Sequence, residues 1–414
     1  MPLVLVKDNQ KRNVKLMHRI NILMISADYE KCGVSHYTTR LLEAICSQAN
    51  DLKIESIRIK DKIRFLSFYT AIIKKIVKNE FKIIHIQHEF SLYDNLYGIT
   101  LIPFYIILKM LSKVKGFKIV TTLHTVWDLE GLKDTIDPKF SKNPLLLFIA
   151  RMYVLSHIKL ICELSDKIIV LGKPSVYILS KQYKVKPSKV KYNHHGVYTN
   201  KAEEPRKEEI EEFRRKFSIK EGGKIITLFG FPYPSKGYHY VISALPEVIK
   251  EHENLVLVIA GGLPDVGDVD SLRKYFNHLK NMPKELGVDD NVIFTGFLSW
   301  KYLNVLFTIT DLFIFPYEKR VNASGSLNSI IPYLKPIIVS DSPLFDDLRE
   351  AGAVITVDVK NKKRLKDAII KVIHSKSLKK VLKKKLKEYL VINSILNSAE
   401  KHIKVYLDLI QRSY

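Results

Sequence analysis

The stretch at residues 311–341 constrains the fold of the chain more than any other. Two apolar runs, at 312–315 and 336–339, enclose a polar segment that contains Ser324 and Gly325. Unbroken apolar runs of this length are typical of parallel strands that helices cover on both faces. Ser324 can cap the helix that follows, and the free N–H groups of its first turn form an anion site at the carboxyl end of a strand. The stretch therefore predicts a βαβ unit that is either a ligand site or an ordinary capped helix.

Similar short apolar runs alternate with helical stretches along the whole chain. They cover residues 20–25, 82–86, 118–123 and 167–171 in the first half, and 224–229, 255–260, 292–294 and 353–357 in the second. The alternation predicts parallel sheets in doubly wound α/β domains, and 414 residues exceed what one hydrophobic core usually serves. The pattern breaks at 191–197, where we place the hinge. We predict an N-terminal Rossmann-like domain at 1–196, a C-terminal Rossmann-like domain at 197–390 and a helix at 391–414 that packs back on the first domain.

The composition of the chain indicates which classes of molecule it can bind. The 67 Lys and Arg residues against 43 Asp and Glu give a charge of +24, which favours a polyanion such as nucleic acid, anionic lipid or a phosphorylated substrate. Nucleic acid is not expected, because no RNA-binding signature accompanies the basic residues. The three cysteines lack metal-ligand spacing and indicate a reducing cytoplasm. We find no signal peptide and no run of 18 uninterrupted apolar residues, so no membrane-spanning segment is predicted.

Two helical stretches of the first half are unusually apolar, at residues 96–111 and 144–161. Either can be a core helix. The first, which is followed by Lys113 and Lys115, can instead lie in a membrane interface.

One lysine stands where a leaving phosphate could be neutralised. Lys236 lies in the loop at 230–237, directly after the apolar run at 224–229, and Gly237 follows it. A loop at the carboxyl end of a strand is a common place for an anion-binding group. The alternative is an ordinary surface lysine.

The first half offers a glycine and several histidines. Gly33 follows the first apolar run, and His124 ends the run at 118–123, where it can line a cleft. His85 and His88 are three residues apart on a strand and point to opposite faces, so they are structural, or at most His88 and Glu89 line an acceptor side.

One acidic pair, Asp268 and Asp270, resembles a metal site. Its loop also contains proline and glycine, so we interpret the pair as a solvated turn.

Together these segments resemble the GT-B glycosyltransferases, and most closely the retaining family 4, also called glycosyl transferases group 1. The resemblance extends from Ile20 to the C-terminal helix. It rests on the order and spacing of the segments at 33–34, 122–124, 195–197, 230–237, 294–296, 323–325 and 335–336.

This resemblance implies the GT-B fold, with the donor on the second domain and the acceptor on the first. Lys236, Ser324 and Gly325 would hold the donor diphosphate, and Gly33 would close over it. His124 would lie beside the transferred sugar. His124 and Lys236 are the two candidate catalytic residues. Phe297 and Leu298 would lie near the base, and His88 and Glu89 would line the acceptor side.

Three positions depart from the family pattern. Phe231 replaces an arginine that usually contacts the diphosphate. The paired glutamates that hold donor sugar and ribose fall on Val321 and Ser329. Asn322 and Asn328 are the nearest polar substitutes.

The resemblance implies transfer of a hexose, with retention, from a GDP- or UDP-sugar to a glycan or lipid-linked acceptor, without a cofactor or an essential metal. We expect a cytoplasmic protein that can bind peripherally to the inner face of an anionic membrane. The alternative is a non-catalytic GT-B remnant that binds a polyanion or a partner through its basic surface.

Overall fold

The computed structural model describes residues 20–29, 32–60, 65–90, 92–94, 98–132, 142–198, 203–263, 269–318 and 324–411. Within these ranges the chain forms two six-stranded sheets, and the strands of each sheet pair in parallel. Helices cover both faces of each sheet, so the fold is α/β and doubly wound, as predicted.

The first sheet has the strand order β2-β1-β3-β4-β5-β6. Its strands are β1 Ile20–Ala27, β2 Leu52–Ile59, β3 Ile83–His88, β4 Lys118–Leu123, β5 Lys167–Val170 and β6 Val190–Tyr192. Its helices are α1 Gly33–Gln48, α2 Phe65–Lys78, α3 Leu101–Lys115, α4 Pro144–Leu164 and α5 Lys173–Lys181. Every residue of β3 is buried, as expected for a strand that is covered on both faces.

The second sheet has the order β12-β11-β10-β7-β8-β9. Its strands are β7 Lys224–Phe229, β8 Leu255–Ala260, β9 Val292–Gly296, β10 Leu312–Phe315, β11 Ile337–Val339 and β12 Ile355–Thr356. Its helices are α6 Lys207–Lys216, α7 Tyr238–Glu251, α8 Val269–Glu285, α9 Trp300–Ile309, α10 Gly325–Ile330, α11 Asp346–Glu350, α12 Lys362–His374 and α13 Lys376–Ile392. Strands β10 and β11 pair in parallel on either side of α10, which confirms the predicted βαβ unit.

The last helix, α14 Ile395–Gln411, returns to the first domain and packs against α1. The chain passes between the domains at two adjacent points, where the Val197 N–H donates to Asn393 O at 2.7 Å and the Ile395 N–H donates to Val197 O at 2.8 Å. Gly196 has φ +82°, and a Cβ there would lie 2.7 Å from Ile395 Cδ1. Only glycine therefore fits where the two crossing segments touch.

A second set of contacts joins the domains away from this hinge. Lys173 of α5 lies 2.5 Å from Asp347 of α11 and 3.1 Å from Glu350. The Tyr192 hydroxyl donates to the Asp347 carboxylate at 2.6 Å. These contacts hold the two domains together on one side of the cleft between them.

Candidate active site

The lysine loop, residues 230–237, is fixed by close packing of its last glycine. Gly237 has φ +66°, and a Cβ there would lie only 2.0 Å from the carbonyl oxygen of Pro316. The loop therefore packs against the carboxyl end of β10, and a short 3-10 turn at Pro234–Lys236 brings the lysine over Tyr317. Lys236 Nζ lies 3.6 Å from the centroid of that ring, a close cation–π contact.

Tyr317 connects the lysine to the start of α10. Its hydroxyl lies 3.1 Å from Ser324 Oγ, and this oxygen accepts a hydrogen bond from the Leu327 N–H at 3.2 Å. Ser324 is thus the N-cap of α10, as predicted. The structure brings Lys236, Ser324 and Gly325 to one place. Sequence reasoning missed Tyr317, for which the only signal was its position just after β10.

Lys236 has no ion-pair partner among the described residues. Burial lowers its pKa to about 7. Among the described residues no carboxylate forms an ion pair with it. A half-buried lysine without an anionic partner at the end of a strand suits an anionic ligand better than it suits a structural role.

Two glycines that the resemblance assigns to the donor site are not required by the folded chain. Gly33 opens α1 and Gly325 opens α10, and neither has a positive φ. A Cβ at either position would meet no atom of the described residues within 4 Å. The space beside both helix starts is open, which leaves room for a ligand to approach the main chain.

On the first domain, His124 is held in one orientation. Its Nε2 lies 2.9 Å from Gln87 Oε1, and an amide oxygen can only accept, so this nitrogen carries the proton. Burial lowers the His124 pKa to about 3, so the ring is neutral. Tyr37 packs edge-on against His124 and also contacts His195 of the hinge, with ring centroids 5.1 and 4.7 Å apart.

The hinge and α10 enclose a cavity between the domains. His194, His195, Ser324, Leu327 and Asn328 contribute to its lining. The aromatic row from His124 through Tyr37 thus ends at a cavity that α10 also borders. This arrangement places the candidate sugar side of the first domain close to the candidate phosphate side of the second.

Glu89 lies near the lysine loop. Its carboxylate accepts hydrogen bonds from the Thr125 hydroxyl at 2.6 Å and from the Phe90 N–H at 3.0 Å. Burial raises the pKa of this carboxyl group. The pKa of Tyr233, in the lysine loop, is raised mainly by burial and additionally by the charge of Glu89.

The histidines of β3 point to opposite faces, as predicted. His85 Nδ1 lies 2.6 Å from the Tyr406 hydroxyl of α14, whereas His88 Nε2 lies 3.1 Å from His157 Nε2 of α4. Both rings are fully buried. The His88 ring therefore lies inside the domain with no exposed surface to line an acceptor site, which agrees with the structural interpretation of this histidine.

The other predicted donor residues differ in exposure. Phe297, just after β9, is half exposed, whereas the Leu298 side chain is buried in the core of the second domain. Only the main chain of Leu298 could contact a base there.

The departures from the family pattern have local explanations in part. Phe231 packs near Tyr233 of its own loop, with ring centroids 6.5 Å apart. The Ser329 hydroxyl donates to the carbonyl of Gly325 at 2.8 Å and so bonds within its own helix. Asn322, Val321 and Asp268 lie outside the described residues. Within the described ranges no group of three or more His, Cys, Asp or Glu side chains could hold a metal ion.

Comparison with known proteins agrees with this geometry. Residues 209–389 match the family model of glycosyl transferases group 1. An alpha-monoglucosyldiacylglycerol synthase of Streptococcus pneumoniae is 30% identical over 179 residues, which are 41% of this chain and 36% of that protein. The matched segment therefore spans only about a third of the relative's own length.

Solved structures of the same architecture cover nearly the whole chain. Sucrose-phosphate synthase from Thermosynechococcus elongatus superposes with a TM-score of 0.70 at 15% identity, over 95% of this chain and 100% of that one. Anabaena HepE in complex with UDP and glucose gives 0.69 at 12% identity, over 94% and 100%. The chain thus has the GT-B fold, and its second domain matches the glycosyl transferases group 1 family, as the sequence resemblance predicted.

Proposed function

We propose that this protein transfers a hexose from a nucleoside-diphosphate sugar, a UDP- or GDP-sugar, to a glycan or lipid-linked acceptor with retention of configuration. The observation that carries the proposal is the position of Lys236. This cation lies on Tyr317, beside the Ser324-capped start of α10, and has no carboxylate partner among the described residues.

The donor diphosphate would bind between the lysine loop and α10. Its phosphate oxygens would approach the main chain at Gly325, where a Cβ would meet only open space. When the bond to the sugar breaks, negative charge develops on the leaving diphosphate. A pre-positioned ammonium group and free N–H groups stabilise that charge without reorganising. Neutral His124, held by Gln87, would contact the sugar from the other side.

The acceptor would enter from the first domain, next to Glu89. The relative from Streptococcus pneumoniae has diacylglycerol in its name, which supports a lipid-linked acceptor over a soluble one. The charge of +24 supports binding to the anionic, cytoplasmic face of a membrane, where each basic residue near the surface contributes about 1 kcal/mol.

The alternative is a GT-B protein without catalysis that binds a polyanion through its basic surface. Ser329 stands where the family pattern has a glutamate, and its hydroxyl is occupied within α10. This observation favours the alternative only if donor binding also fails.

A thermal-stabilisation screen with UDP, GDP, ADP and their common sugars tests the proposal. A ligand that binds only the folded state must raise the unfolding midpoint, by about 2.7 kcal/mol of stability at a hundredfold excess over Kd. We expect one nucleotide series to stabilise the protein. NMR of the product formed with that donor then reports whether the anomeric configuration is retained. No stabilisation by any nucleotide would contradict the proposed function and favour the alternative.

A further inference from the structure

The two halves of α4 have opposite environments. Five apolar side chains of its first three turns are exposed: Leu145 by 65%, Leu146 by 36%, Phe148 by 60%, Ile149 by 53% and Met152 by 43%. The second half is buried in the core of the first domain through Val154, His157, Ile158, Ile161 and Cys162. Single exposed apolar residues are ordinary, but five within eight positions form a patch that indicates a partner.

The neighbouring helix extends this apolar character. Helix α3 exposes Ile106, Ile107, Met110 and Val114, while its opposite side is buried. The membrane alternative considered for residues 96–111 therefore applies in part to α3, but the most densely exposed residues belong to α4.

The exposed half of α4 is too short to cross a bilayer. By length and composition alone, α4 could span a membrane. Of its most apolar 18 residues, however, 28% are already buried inside the protein, and these lie in the core of the first domain, where they cannot contact lipid. The exposed residues 144–152 extend about 14 Å at about 1.5 Å per residue, against a hydrocarbon core of about 30 Å. A segment of this length can lie in the interface and cannot traverse the membrane.

Charge selects an anionic lipid surface over a second copy of the chain. Helices α3 and α4 together contain five basic residues, Lys109, Lys113, Lys115, Arg151 and Lys159, and a single carboxylate, Glu163. Two copies, each with a charge of +24, would repel one another at this face, whereas anionic headgroups would attract it.

The same helix reaches the candidate acceptor side. Tyr153 directly follows Met152, and its hydroxyl lies 3.3 Å from His157 Nδ1. His157 Nε2 in turn lies 3.1 Å from His88 Nε2. Glu89 is the next residue after His88. The patch is therefore connected to the candidate acceptor side through His157, which lies about 8 Å along α4 from Met152 and contacts His88 of β3.

We infer that the first three turns of α4 insert into the interface of an anionic bilayer and hold the acceptor side at the level of the lipid headgroups. The membrane contact itself is independent of catalysis, and only the delivery of a lipid acceptor rests on the proposed function.

The test compares two double variants in sedimentation with vesicles of equal parts phosphatidylglycerol and phosphatidylcholine at low salt. Phe148→Ser with Ile149→Ser removes two exposed side chains from α4. Val391→Ser with Ile392→Ser is the matched control, because these residues of α13 are 63% and 66% exposed. We expect the α4 variant to lose about tenfold or more in vesicle partitioning and the control to change less than twofold. Unchanged unfolding midpoints show that both variants fold.

Three outcomes would overturn the inference. The α4 variant could bind vesicles like the wild type, or the control could lose binding instead, which would move the contact to the lysine-rich helix α13. Size-exclusion chromatography could show a dimer that the α4 variant dissociates without any change in vesicle binding, which would make the patch a contact between copies. Donor stabilisation, measured without vesicles, separates failure of this inference from failure of the proposed function.

Discussion

The polar side chains on the two sides of the cleft differ in the partners they have within the protein. On the first domain, the polar side chains are partners of one another: His124 with Gln87, Glu89 with Thr125. On the second domain, Lys236 rests on an aromatic ring and has no carboxylate partner among the described residues. His124 and Glu89 therefore each have a hydrogen-bond partner within the protein, whereas Lys236 has no described carboxylate to neutralise it.

Burial acts on both sides but has different consequences at neutral pH. It lowers the pKa of His124 to about 3, which leaves the ring neutral, and the pKa of Lys236 to about 7, which leaves the lysine close to half protonated. Of these two groups, Lys236 is therefore the one that can change its charge when an anion binds. The first domain thus presents a neutral ring at His124, and the second presents a lysine that a bound anion would hold in its charged form.

The largest effect is expected from closing the open space beside α10. In Gly325→Val, the branched side chain would fit the fold, because no atom lies within 4 Å of the added Cβ, but it would occupy the space through which phosphate oxygens reach the main chain. We expect donor binding to be lost, by about a hundredfold or more, with an unchanged unfolding midpoint. Isothermal calorimetry with the donor that stabilises the wild type measures this change.

Ser329→Ala is the matched control in the same helix. Its hydroxyl donates to the Gly325 carbonyl and lies more than a turn along the helix, so we expect the donor affinity to change less than twofold. Normal donor binding by Gly325→Val would show that the phosphates do not lie at the start of α10. The proposed anion site on the second domain would then be wrong.

A smaller effect is expected from removing the cation itself. Lys236→Ala should weaken donor binding by about 1.5–3 kcal/mol, the contribution of a charge-assisted contact, while the protein stays folded. Lys250→Ala, an exposed lysine in the last turn of α7, is the control and should have no effect. Equal affinities of the two variants would remove Lys236 from the donor site.

The sequence predicted the buried strands well because their apolar runs are unbroken. Strands β4, β7 and β8 begin and end where the runs do. Strands β2 and β6 were missed because polar residues interrupt them at the two edges of the first sheet. Such interrupted edge strands do not carry the continuous pattern that identified the others.

The candidate site was predicted as far as its residues follow strand ends. Lys236 and Ser324 lie directly after strands or before a helix, so their places could be inferred, and the structure brings them together. Tyr317 and Gln87 could not be assigned roles, because a side chain that links or orients another depends on packing between distant segments. The burial of His88 against His157 of α4 is of the same kind.

The smallest expected effect is a pH dependence of donor binding. It tests whether Lys236 titrates near neutral pH while His124 does not. Without ligand, the Lys236 pKa is lowered to about 7, so the lysine is charged below that pH and becomes neutral above it. A bound diphosphate favours the charged form and raises this pKa, so affinity should be constant below about pH 6.5 and fall by up to about tenfold per pH unit above 7. His124 adds nothing to this slope, because it remains neutral throughout.

The measurement uses an intact nucleotide sugar, such as UDP-glucose, because its diphosphate does not titrate in this range, unlike the terminal phosphate of a free nucleotide. Lys236→Arg provides the control, since a guanidinium group stays charged and should flatten the pH profile even if its geometry lowers the affinity overall. A flat profile for the wild type would mean that Lys236 does not change its charge when the donor binds. A sloping profile in Lys236→Arg would assign the titration to another group. Either result would contradict the proposed difference between a neutral His124 and a Lys236 that becomes charged when the donor binds.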